Sequence, residues 1–243
     1  MALVFIKEVR PGVRLGLWRM DEAPEQLLLC YPHLRGLELT ARYVGRQKEI
    51  LCTRALLAEM TGDERLHIDH AESGQPLVEG WHVSISHTKG YAALMLSREM
   101  AVGVDIEYRS ARIVKIASHF IRPDEMASVA APTAPETGSQ AATSSSEEEV
   151  LRMLMLWCAK ETLYKLHCAD KLGYFEMRQT TRPPRFPAEG GDAEADVLIT
   201  LENMKRGEPV AVHACLTPHY CLTWATATTP SRKDGQPRTT ACS

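Results

Sequence analysis

The sequence predicts an α+β fold, in which short antiparallel strands alternate with long helices. Three observations carry this expectation. Short alternating runs bounded by turn residues occur twice: "WHVSISH", "YAALMLS" and "AVGVDIE" within 81–107, then "ADVLITLE", "PVAVHACL" and "YCLTWAT" within 195–226. Each set follows a stretch of helical apolar spacing, the first ending at Gly62 and the second near residue 170. The order helix then meander therefore recurs faintly in the two halves.

Taken in order, "MALVFIKEVRPGVRLGLW" has too short an apolar run and too many charges for a signal peptide, so a cytoplasmic protein is expected. The stretch "TARYVGRQKEILCTRALLAEMTG" reads as a helix opening near Thr40, with Ile50, Leu51, Ala55 and Leu57 or Ala58 at helical spacing and Gly62 as its stop. Its polar side holds Arg46, Lys48 and Arg54. "ESGQPLVEG" (72–80) is loop. The next three strand runs form a meander, the first two joined by Thr88, Lys89 and Gly90, the glycine supplying a positive φ. In the first run Trp81, Val83 and Ile85 share one face, and His82, Ser84 and Ser86 the polar one, which ends at Ser86 and His87.

Residues 111–130 read as a second helical region broken at Pro123. The low-complexity tract "APTAPETGSQAATSSS" (131–146) has no apolar periodicity and is expected to be a mobile insert. Ser146 with Glu149 three residues on is a capping-box pattern for a helix running to about residue 170. Leu151, Met155, Cys158 and Leu166 give that helix its apolar stripe, and Trp157, Glu161 and Lys165 recur beside it at every fourth position. Thr217, Pro218 and His219 split the last two strands as a hairpin, and 229–243 reads as a disordered tail. The expected organisation is an N-terminal half 1–103, a C-terminal half 104–228 carrying the insert, and the tail.

Composition narrows the function. The 243 residues are 44% hydrophobic, enough for a substantial core, and the formal net charge of −3 argues against nucleic-acid binding through bulk positive charge. No apolar run approaches the ~20 residues of a membrane span. Seven cysteines without a C-x-x-C pair favour neither a disulfide framework nor a zinc site.

The chemistry concentrates in "AVGVDIEY" (101–108), where Asp105 and Glu107 interrupt a buried-looking strand. At positions i and i+2 the two carboxylates share a face, roughly 7 Å apart. A lysine, an arginine or a metal ion must offset their repulsion. With Glu161 they make three oxygen donors of the kind Mg²⁺ takes, and a magnesium site with open positions handles phosphate. Arg46, Arg54, the Ser86–His87 pair, Lys160 and Lys165 supply groups suited to an anionic substrate.

"VGVDIE" (102–107) followed by "WCAKETLYK" (157–165) resembles the two signature motifs of the Sfp-type 4′-phosphopantetheinyl transferases, G-[IV]-D-[IV]-E and W-x-x-K-E-[AST]-x-x-K. "GQPLVEGWHVSISHT" is similar to the family's G-K-P and S-H-[ST] segments, and "RQKEILCTRALL" to its upstream basic helix, so the resemblance covers about residues 40–175. It implies an α/β pseudodimer of two similar halves, each a small antiparallel sheet with a long helix, and coenzyme A in the cleft between them. It implies Mg²⁺-dependent transfer of 4′-phosphopantetheine from coenzyme A to a serine of an apo acyl or peptidyl carrier protein, releasing 3′,5′-ADP, by a monomer. Carried over by position, Asp105, Glu107 and Glu161 would hold the metal, Glu161 would be the base for the serine proton, and Lys165 would neutralise the pyrophosphate. Ser86, His87, Arg46 and Arg54 would grip the phosphates at the adenosine end, with Lys160 and Gln75 as further coenzyme A contacts. Gln75 departs from the pattern, standing where the family has the lysine of G-K-P. Two other classes stand beside this one: a magnesium phosphotransferase or phosphohydrolase that reuses the acidic triad on another substrate, and a non-catalytic member that only binds coenzyme A or a partner protein.

Overall fold

The computed structural model describes residues 2–37, 41–130, 141–181 and 195–228. The fold is α+β, with mixed helices and antiparallel sheets. The chain divides into two compact units, with boundaries between Val104 and Asp105 and between Ala225 and Thr226.

The first unit opens with a hairpin, β1 (Leu3–Arg10) and β2 (Val13–Arg19), turning at Gly12 with φ 73°. The N-terminal residues, weighed above only as a leader, are thus strands: Val13, Leu15 and Leu17 on β2 are fully buried, whereas Arg14 is exposed. Helix α1 (Pro24–Cys30) and α2 (Val44–Thr61) follow, and α2 ends at Gly62 in the left-handed conformation, φ 70°. Two short strands, β3 (Asp69–His70) and β4 (Pro76–Leu77), bracket the loop before β5 (His82–Thr88) and β6 (Tyr91–Ser97). Gly90 at the β5–β6 turn has φ 83°, as the turn chemistry requires.

The sheet order is β1-β2-β6-β5, all antiparallel, and α2 packs on β2 and β6. Trp18, Leu51, Leu56, Leu57, Leu94 and Leu96 form the centre of that core. Side chains of the helix press on Gly16: a Cβ there would lie 2.6 Å from Met60 Sδ and 2.8 Å from Leu56 Cδ1. Gly16→Ala is expected to cost about 1–3 kcal/mol through overpacking, read as a lowered urea midpoint; an unchanged midpoint would show that α2 can shift at no cost.

Two expectations for this region are corrected. The third meander strand, β7 (Met100–Tyr108), does not join β6, because both edges of β6 are already hydrogen-bonded, to β2 and β5. It is instead the edge strand beside β11 (Tyr220–Thr228) in the other sheet. The serine face of β5 is also not the solvent face. Ser84 and Ser86 are buried, and Ser84 Oγ accepts a hydrogen bond from Val104 N at 3.0 Å.

In the second unit, residues 111–130 form short pieces rather than a long helix: 3₁₀ turns at Ala111–Ile116 and Pro123–Glu125, α3 (Ala117–Phe120) and α4 (Met126–Val129). Pro123 does open a new turn. Helix α5 (Ala141–Leu166) begins before Ser146, so Ser146 is not its cap, and positions 141–146 of the expected insert are helical; residues 131–140 lie outside the described residues, as does the expected tail 229–243. The helix ends earlier than expected, and a 3₁₀ turn at Cys168–Asp170 follows, closed by Lys171 with φ 48°.

The sheet, ordered β7-β11-β10-β9-β8, is completed by β8 (Met177–Gln179), β9 (Ala195–Asn203) and β10 (Glu208–Leu216), with β8 to β11 antiparallel. Helix α5 packs on β8, β9 and β10 and is buried well beyond one stripe: Leu154, Met155, Leu156, Cys158, Ala159, Thr162 and Leu163 are all interior. The buried Thr162 hydroxyl is paired, its Oγ1 lying 2.7 Å from Thr223 Oγ1. None of the described cysteines forms a disulfide, and Cys52, Cys158, Cys215 and Cys221 are buried. Among the described residues no helix is long and apolar enough to cross a membrane.

Candidate active site

The second unit gathers most of the acidic constellation. The period of β7 sets Asp105 and Glu107 two apart, and the four-residue spacing on α5 lines up Trp157, Glu161 and Lys165 along one row. The two rows meet. Lys165 Nζ donates to Asp105 Oδ1 at 2.7 Å, and Trp157 Nε1 donates to Glu107 Oε1 at 3.3 Å. Asp105 is only 4% exposed, and its second oxygen, Oδ2, is buried. The positive group beside this carboxylate is thus the Lys165 ammonium.

Glu161 accepts a hydrogen bond from the phenol of Tyr174. Burial pushes the Glu161 carboxyl above its ordinary range and the charge on Asp105 adds to this, while the Tyr174 hydrogen bond and the Lys165 charge act the other way. Burial likewise raises the Tyr174 phenol, helped by its bond to Glu161, so it remains a donor. Tyr174 is held twice more: its ring lies 5.1 Å from that of Trp157, and its carbonyl accepts from Lys160 Nζ at 3.1 Å. Trp157 is also edge-on to Phe120 at 5.2 Å.

Three carboxylates are the right donors for a hard cation such as Mg²⁺, and the action of Asp105 on Glu161 places those two within electrostatic reach. Each of the three is engaged by a protein donor, Lys165, Trp157 or Tyr174. Among the described residues no group of three or more His, Cys, Asp or Glu side chains is gathered as a ligand set. The donor chemistry fits the ion.

Lys160, expected among the coenzyme A contacts, lies in the interior. Its ammonium is fully buried and its three N–H groups are spent on Glu125 Oε2 at 2.7 Å, Phe120 O at 2.7 Å and Tyr174 O at 3.1 Å. Glu125, 2% exposed, also accepts from the backbone amides of Arg122 and Gln179. Lys160 is therefore an internal tie, its ammonium engaged by three protein acceptors.

The first unit holds a separate polar cavity of about 290 Å³, lined among others by Arg46, Glu49, Arg54, His70 and His87. Arg46 Nη1 donates to Glu49 Oε2 at 2.8 Å and lies 3.1 Å from His87 Nε2. Arg54 spans the carbonyls of Ile50 and Ile68, at 3.3 and 3.2 Å. Burial lowers its pKa, and the like charge of Arg46 lowers it further, an environment that an anion would relieve. The structure thus brings Arg46, Arg54 and His87 together. It leaves out two other expected residues: Ser86 is buried on the face of β5 opposite His87, and Gln75 is not part of the lining, although its neighbours Gly74 and Pro76 are.

Tyr174, Glu49 and His70 were not anticipated. Glu49 lies three residues from Arg46 on α2, a spacing legible in principle, whereas nothing in local spacing ties Tyr174 to Glu161.

Compared with known families, residues 101–196 match the family model described as the 4′-phosphopantetheinyl transferase superfamily. The match spans Asp105, Glu107, Glu161 and Lys165. No match is found among curated proteins.

Proposed function

From the premise that residues 101–196 carry a 4′-phosphopantetheinyl transferase superfamily domain, which implies transfer of phosphopantetheine from coenzyme A to carrier proteins, we propose an Sfp-type, Mg²⁺-dependent enzyme. Its acceptor is a serine of an apo acyl or peptidyl carrier protein, and its second product is 3′,5′-ADP. The observation that carries the proposal is the meeting of the α5 row, Trp157, Glu161 and Lys165, with the β7 carboxylates. On the same reading the enzyme is a cytoplasmic monomer that engages neither nucleic acid nor membrane.

Attack at a phosphoryl centre needs neutralised oxygens, an oriented nucleophile and a destination for the proton. Asp105, Glu107 and Glu161 would hold Mg²⁺, which when bound supplies charge neutralisation at the pyrophosphate. Lys165, anchored on Asp105, adds a second positive charge at the same place. The Glu161 carboxylate takes the serine proton, and Tyr174 steadies it by donating to Oε1. In the first unit, Arg46, Arg54 and His87 receive phosphate at the nucleotide end of coenzyme A.

Chromatographic detection of 3′,5′-ADP released from coenzyme A tests this proposal. Release is expected only when apo carrier and Mg²⁺ are both present, and EDTA is expected to stop it. Release without carrier would instead identify a coenzyme A hydrolase built on the same carboxylates.

A further inference from the structure

We propose that Glu49 is a built-in competitor for the ligand's phosphate, its carboxylate set against the Arg46–His87 pair and keeping the cavity's affinity for anions low. This rests on the reading above that the cavity of the first unit takes the nucleotide end of coenzyme A.

The geometry is that of a carboxylate in an anion's place. Glu49 Oε2 lies 2.8 Å from Arg46 Nη1 and 3.6 Å from His87 Nε2, and those two nitrogens are themselves 3.1 Å apart. One oxygen thus faces two nitrogens on different elements, α2 and β5, that a phosphate oxygen would also seek. All three side chains line the same cavity, with Arg54 and His70. Glu49 is its acidic side chain among the described lining residues, and at 26% exposure it is partly withdrawn from water, so its charge is felt. Asp69, just outside the lining, acts on Arg54 in the opposite direction to burial and Arg46, raising its pKa by less than they lower it.

Charge balance gives the consequence. A phosphate monoester dianion meets two arginines already offset by one carboxylate, and Arg54 is fixed to two backbone carbonyls. To pair fully with Arg46 the phosphate must displace Glu49, and afterwards Glu49 is poised to displace the phosphate. A nucleotide product held this way leaves readily, which matters where product release limits turnover.

The test is calorimetric titration of wild type and Glu49→Gln with 3′,5′-ADP and with coenzyme A, at low and high salt. Glutamine keeps an amide oxygen for Arg46 and removes only the charge. Binding is expected to tighten about tenfold at low salt, from the loss of one like charge beside the phosphate, and the gain should shrink as salt screens the cavity. Were Glu49 merely orienting Arg46, the variant would bind equally or less well, and either result overturns the proposal, as does undetectable binding by both proteins. Carrier modification by the wild-type protein, run in parallel, separates the two ideas. Tightening without any transfer would sink the transferase reading and leave the role of Glu49 standing; transfer without tightening would do the reverse.

Discussion

Glu161→Gln is expected to lower phosphopantetheinyl transfer by roughly 10²- to 10⁴-fold, the range a positioned proton acceptor contributes, while the protein remains folded. The substitution is isosteric, and its amide oxygen can still accept from the Tyr174 phenol, so the packing of Tyr174 against Trp157 should survive. Lost would be the negative charge proposed to take the serine proton and one of the three carboxylates proposed to hold a cation. Single-turnover rates with saturating coenzyme A and carrier, alongside a circular-dichroism melt, provide the check. A variant that turns over at the wild-type rate would remove Glu161 from the chemistry.

The second large effect lies behind the site. Lys160→Met strands Glu125 in the interior, and breaking a buried pair by removing one partner costs about 3–5 kcal/mol. Backbone amides of Arg122 and Gln179 still reach Glu125, but its cation is gone. Burial already disfavours the charge on Lys160, and the bond to Glu125 opposes that, so the pair holds only as a pair. Urea unfolding measures the loss, and Lys160→Met combined with Glu125→Gln should recover part of it, since the two terms couple. A loss in the single variant below about 1 kcal/mol would contradict the pair's structural role. Activity is expected to fall as well, because the same ammonium holds the carbonyls of Phe120 and Tyr174, the residues that flank Trp157.

What the sequence discloses here follows how local each feature is. Helical spacing exposes the cores of α2 and α5, and the row Trp157, Glu161, Lys165 follows from a four-residue period alone. The β5–β6 hairpin and the strands β9 to β11 show in alternation and turn residues. Pairing is not local: that β7 leaves β6 for β11 depends on β2 having taken the free edge of β6, and β1 and β2 lie far back in the chain. Polarity misleads at Ser84, where a small hydroxyl is buried because it satisfies the amide of Val104. The inward direction of Lys160 is legible in part, since adjacent helix residues point about 100° apart and Lys160 is turned away from Glu161. The position of Tyr174 is not, because only tertiary structure carries the chain back from the end of α5 to the Glu161 carboxylate.

The reaction proposed for this chain is transfer of a phosphopantetheinyl group onto a carrier serine. Intact-mass spectrometry of purified apo acyl and apo peptidyl carrier proteins, incubated with the protein, coenzyme A and Mg²⁺, tests it most directly. A gain of one phosphopantetheinyl group is expected on at least one carrier, absent with EDTA and absent when the acceptor serine is replaced by alanine. Carriers that stay at their apo mass, while the protein binds coenzyme A by calorimetry, would contradict it and leave a binding protein in its place.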